Sequence, residues 1–174
     1  MFRRTLLAGL ASLVFTIGVM AELKSNEEHQ FEANFPTKAQ QLFKPLANGG
    51  KVIVLRSNDE ARVFMVGTAC VGDSVLNPEH TKLHAREFVA GATGNLKEVK
   101  VVKEGELKLN DETRTGYATI IQHEGGCHLY WVTIENGKIY FVSVQADCKE
   151  ALKEQTVKLF LESVKIRKAE IAAQ

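Results

Sequence analysis

The chain has 174 residues, 22 lysines and arginines against 21 aspartates and glutamates, and a formal net charge of +1. Near-neutral charge with interspersed signs argues against a nucleic-acid binder or a protein steered to anionic membranes. Three cysteines permit at most one internal disulfide and leave one thiol over.

Met1-Phe2-Arg3-Arg4 is a short basic start, followed by an uncharged run from Thr5 to Met20 and the small residue Ala21. This pattern predicts a secretory signal cleaved after Ala21. The competing reading is an anchor helix, but the run falls short of the roughly 20 apolar residues a spanning helix needs. The expected product is exported, periplasmic or extracellular, with no stable membrane anchor. The signal carries two of the 22 basic residues and no acidic one, so the remaining 153 residues have a net charge of −1. That length suffices for one domain, expected over 31–168, with a tail over 169–174.

Residues 22–30 (ELKSNEEHQ) are polar and aperiodic and read as a flexible lead-in. Phe31, Ala33 and Phe35 alternate with polar residues before Pro36, which predicts a first strand. Residues 37–50 are ambiguous and end in the turn signal Asn48-Gly49-Gly50. KVIVLRS and ARVFMVGTACV flank Asn58-Asp59 and suggest a hairpin. Asn77-Pro78-Glu79 combines a capping side chain, a proline and an acid, the start of a helix with Ala85, Phe88, Val89 and Ala92 as its buried stripe and Gly94-Asn95 as its end.

A four-strand meander follows, at about 97–109, 114–123, 127–134 and 138–146, with Asn136-Gly137 as a tight hairpin turn. On its last hairpin Leu129, Trp131, Tyr140 and Val142 share one face, and Tyr130, Val132, Ile134, Ile139 and Phe141 the other. Both faces are apolar, which places the hairpin centrally, or beneath one helix layer and a ligand groove. Asp147 with Glu150 resembles a capping box for a last helix, whose stripe is Val157, Phe160, Leu161 and Val164. The sum is an α+β fold, an antiparallel sheet of six to seven strands ending in the meander and packed with two main helices.

Three stretches also resemble the PsbP-like α+β family of small exported proteins. They are F-x-x-x-FP at Phe31–Pro36, the strand NGKIYFVSV, and the closing KLFLESVKI. The resemblance spans roughly residues 31–166, and none of these stretches carries chemistry. GTACVGDSVLNP, from Gly67 to Pro78, departs from the family pattern. The resemblance implies a fold and a non-enzymatic binding or assembly role, with no site residues to transfer.

The candidate chemistry lies in HEGGCH, from His123 to His128. With a four-residue loop His123 and His128 face each other about 5 Å apart at Cβ; with a three-residue loop Cys127 opposes His123. His80 and His84, four apart on the first helix, form a second pair able to meet one zinc or copper ion. Against a metal site stands the plainer reading of border and strand-end histidines covering apolar surface, and neither an H-E-x-x-H nor a C-x-x-C motif is present. A nucleophilic Cys127 would need His123 or His128 as its base, and no third orienting group is evident.

A disulfide is the stronger use of the cysteine. A two-residue turn at Asn136-Gly137 sets Cys127 opposite Ala146 and Cys148 diagonal to it, about 7 Å away, with Cys70 as the competing partner. The favoured pairing is Cys127–Cys148, with Cys70 buried and reduced. The expected function is therefore a non-catalytic exported domain that binds a protein, an envelope component or a small ligand without a cofactor. The alternative is a metal-binding or hydrolytic protein built on His123, Cys127 and His128.

Overall fold

The computed structural model describes residues 22–26, 31–45, 50–70, 76–109, 115–135, 137–147 and 149–167. The expected cleavage point at Ala21 and the tail over 169–174 lie outside them.

Two antiparallel sheets form the fold. The larger takes β3 (Gln40–Pro45), β4 (Lys51–Asn58), β5 (Arg62–Cys70), β6 (Lys100–Lys108), β7 (Thr115–His123), β8 (Gly126–Glu135) and β9 (Lys138–Ala146), in the spatial order β3-β4-β5-β9-β8-β7-β6. The smaller is β1 (Glu22–Asn26), β2 (Phe31–Phe35) and β10 (Lys165–Ile166), ordered β1-β2-β10. The helices are α1 (Thr81–Thr93) and α2 (Gln155–Ser163). This is the expected α+β class.

The two-faced hairpin explains the layering. β8 and β9 sit at the centre of the larger sheet and are buried along nearly their whole length. On one face Trp131, Tyr140, Val142 and Val144 join Phe31 and Phe35 of β2 and Val157 and Phe160 of α2 in the main core. Phe160 packs between Phe35 and Phe64, with ring centroids 5.3 and 5.0 Å away. On the opposite face Val132, Ile134, Ile139 and Phe141 pack beneath α1, whose Phe88 ring lies 4.7 Å from Phe141 and 6.5 Å from Tyr130. Each apolar face thus has a cover, as burial of both demands.

Four expectations need correction. Glu22–Asn26 is a strand rather than a lead-in: it pairs with β2 from Glu22↔Phe35 to Asn26↔Phe31. Main-chain pairing at a sheet edge requires no side-chain alternation, so the segment carried no periodic signal. The ambiguous stretch contains β3, an edge strand exposed throughout. The α1 stripe is Ala85, Val89 and Thr93, with Phe88 half-buried and Ala92 exposed. Positions spaced four apart make a narrow line on the face that α1 turns to β7 and β8. Finally, α2 starts at Gln155 rather than near Asp147, after a 3-10 turn over Ala151–Lys153. Glu154, extended at the helix entry, is held by Arg62 at 2.5 Å, and Arg62 also binds Asp59 at 2.8 Å.

The start of α1 follows the sequence closely. The Asn77 side chain accepts from the Glu79 N–H at 3.0 Å, and Pro78 opens a 3-10 turn that runs into the helix. The β8–β9 turn closes on Glu135↔Lys138, with Gly137 at φ 68°. At Gly116 the ring of Trp131 lies where a Cβ would stand, while Trp131 Nε1 donates to the Leu107 carbonyl at 2.7 Å.

Candidate functional site

HEGGCH is a two-residue hairpin turn. His123 pairs with Gly126, leaving Glu124 and Gly125 at the tip, so neither of the two anticipated loop lengths occurs. The reason is Gly126. Its φ is +136°, and a Cβ there would strike the Ala146 carbonyl oxygen of β9. Only glycine fits that close approach, which pins the turn one residue earlier.

In this register Ile121 opposes His128, so His123 and His128 are diagonal neighbours on one face. Their rings meet edge to face, centroids 4.8 Å apart and planes at 88°. Cys127 opposes Gln122 and Ala146 and therefore belongs to the other face. The turn brings the two histidines together and separates the cysteine from both. The register Cys127↔Ala146 is the one on which the disulfide expectation rests, but Cys148 lies outside the described residues. Cys70, half-buried at the end of β5, pairs with no cysteine among them.

One hydrogen bond sets the preferred tautomer of His123. Its Nδ1 accepts the Gly125 N–H at 3.1 Å, so the neutral ring carries its proton on Nε2. An Nε2 that bears a proton offers no lone pair to a metal. Binding an ion there would move the proton to Nδ1, against the Gly125 N–H. His128 is 7% exposed, and its Nδ1 lies 2.8 Å from the Tyr130 hydroxyl. Burial, reinforced by the neighbouring His123, pushes the His128 pKa down to about 4. Burial also pushes the Tyr130 phenol up to about 12. His128 and Tyr130 are thus a neutral, buried polar pair at physiological pH.

The second pair is looser. His80 and His84 rings are 6.4 Å apart; His80 is exposed, and His84 Nδ1 lies 3.1 Å from Glu87. Among the described residues, no three His, Cys, Asp or Glu side chains are grouped so as to hold one metal ion.

On this side of the sheet a cleft of about 430 Å³ lies between α1 and strands β6 and β7. Val89 and Ala90 of α1 form one wall, and Val99, Val101 and Ile121 the other. Arg86 and Glu104 also line it, and their side chains, partly exposed, form a two-bonded ion pair. Two threonines line the cleft. Thr93 donates to the Val89 carbonyl at 2.7 Å. The Thr119 oxygen is buried and has no hydrogen-bond partner, in a residue 3% exposed.

Of these cleft residues the sequence pointed only to Val89, as part of the helix stripe, and to none as a site residue. The available signal was faint: Val99 and Val101 are apolar and exposed beside an otherwise charged edge strand. On the opposite face a shallower groove of about 890 Å³ runs between Leu107, Leu109 and α2, rimmed by Lys108, Lys153 and Lys158.

No protein-family model matches the sequence, and no curated protein does. Among solved structures the fold is similar to the solution structure of cyanobacterial PsbP (CyanoP) from Synechocystis sp. PCC 6803. The two share 10% identity over 87% of this chain and 96% of that chain, with a TM-score of 0.55. The PsbP-like architecture implied by FEANFP, NGKIYFVSV and KLFLESVKI is therefore present at the level of the fold. No helix among the described residues is long and apolar enough to cross a membrane.

Proposed function

We propose that this chain is an exported, non-catalytic domain that acts by binding a small ligand on the α1 side of its larger sheet. The observation that carries the reading is the α1–β6–β7 cleft, with its apolar walls and buried unsatisfied hydroxyl. Concave, mainly apolar sites with few polar groups are the usual form of small-molecule sites. The basic-apolar-small N-terminus supports export, and the PsbP-like fold is compatible with a non-enzymatic role. The histidine turn supports it indirectly, since Cys127 lies on the face of β8 opposite to His123 and His128, away from either as a base.

Two measurements test the reading. The precursor, carrying a C-terminal tag in a diderm bacterial host, should yield a soluble periplasmic product whose first residue is Glu22. A cytoplasmic or membrane-retained product that still begins at Met1 would overturn export. Native mass spectrometry of that product under gentle conditions should show a bound small molecule, released on substitution of Ala90 by tryptophan. A ligand retained unchanged in that variant would place binding elsewhere.

A further inference from the structure

We infer that the α1–β6–β7 cleft selects an uncharged, mainly apolar small molecule bearing one hydroxyl or carbonyl oxygen, which hydrogen-bonds to Thr119. The inference rests on the binding role proposed above and adds the chemical class of the ligand and the residue that reads it.

Three observations converge. The walls formed by Val89, Ala90, Val99, Val101 and Ile121 favour an apolar body, and about 430 Å³ lies in the range of small-molecule sites. The second is the placement of Thr119. It sits in mid-strand on β7, opposite Glu104 of β6 and Tyr130 of β8, so its side chain is carried by sheet backbone rather than by a loop. Buried hydroxyls are almost always satisfied, and Thr93 in the same cleft is. Thr119 is not, and a turn about its Cα–Cβ bond, exchanging hydroxyl and methyl, would offer it to a ligand oxygen in the cleft as donor or acceptor.

The third is charge. Arg86 and Glu104, which line the cleft, bind each other through two hydrogen bonds. Each neutralises the other, so the cleft presents no free charge to an anionic or cationic head group. A ligand carboxylate would compete with Glu104 for Arg86 and lose hydration against valine walls. An uncharged ligand meets neither cost.

The test is a fluorescence titration of the protein spanning 22–174 with 2-naphthol, naphthalene and 2-naphthoate. The expected order is saturable one-site binding of 2-naphthol, about fivefold weaker binding of naphthalene, and naphthoate at least about tenfold weaker than naphthol. Thr119→Val should remove the preference for naphthol over naphthalene while leaving naphthalene affinity unchanged; Thr119→Ser should keep it. Ala90→Trp should abolish binding of both, and Val101→Trp, at an exposed edge-strand position, serves if that variant does not fold.

Equal wild-type affinities for naphthol and naphthalene, or a preference that survives in Thr119→Val, would overturn the assigned class and leave the binding role standing. Absence of saturable binding of any probe, or binding unaffected by both tryptophan variants, would overturn the site and the proposed function with it.

Discussion

His128 makes the stability of this protein depend on pH in a defined window. Unfolded, a histidine titrates near 6.5; in the fold, burial and His123 push His128 to about 4. Between those values the unfolded chain binds a proton that the folded one refuses, so stability falls as the pH is lowered from about 6.5 towards 4. For a group carrying its full shift, the loss between about pH 7.5 and pH 4.5 is about 2.5 kcal/mol. The ring lies near a surface turn, so partial screening brings the expected loss to about 2 kcal/mol. Urea unfolding of the wild type and His128→Gln at the two pH values measures it. Glutamine keeps a partner for the Tyr130 hydroxyl and cannot titrate, so its curve should lack this part of the acid slope. Equal slopes in the two proteins would refute the placement of His128 as a buried neutral ring.

Glu32 acts lower on the pH scale. Arg167 at 2.8 Å and then Lys165 at 3.1 Å hold its carboxyl below the usual carboxylate range. Its contribution is present above about pH 4.5 and lost as the pH falls through the folded-state value. Glu32→Gln should therefore cost about 1 kcal/mol at neutral pH and nothing in strong acid, read from the same denaturation series. Gly126→Ala, which drives a Cβ into the Ala146 carbonyl from a positive φ, should cost roughly 3 kcal/mol by urea unfolding; a loss near zero would mean that β9 does not close over the turn. Thiol counting on denatured, unreduced protein should give one reactive cysteine, Cys70, with Cys127 and Cys148 joined. That bond would close a 22-residue segment and add roughly 3 kcal/mol, and three reactive thiols would remove it.

The strands that could be read from sequence were those whose side chains had to alternate or to be apolar on both sides. The β8–β9 hairpin is the clearest case: Trp131 and Val142 against Val132 and Phe141 required two covered faces, and the covers are α2 with β2, and α1. β1 was illegible because its pairing with β2 is made by main chain, which leaves polar Glu22–Asn26 without a pattern. The HEGGCH turn was legible as a turn but not in register. Two adjacent glycines make several loop lengths locally equivalent, and the choice came from the Ala146 carbonyl, a neighbour far along the chain. The cleft was invisible for a similar reason. Thr119 in TGYATIIQH reads as an ordinary strand former. It becomes a candidate contact only because α1 meets the sheet along the narrow Ala85–Val89–Thr93 line and leaves space beside it.

The binding claim is tested most directly by backbone amide shifts in the isotope-labelled protein as 2-naphthol is added to saturation. The shifted residues should cluster on Val89, Ala90, Val101, Thr119 and Ile121, around the α1–β6–β7 cleft. Shifts centred instead on Leu107, Leu152 and Leu161, in the groove beside α2, or none at saturating probe, would contradict it.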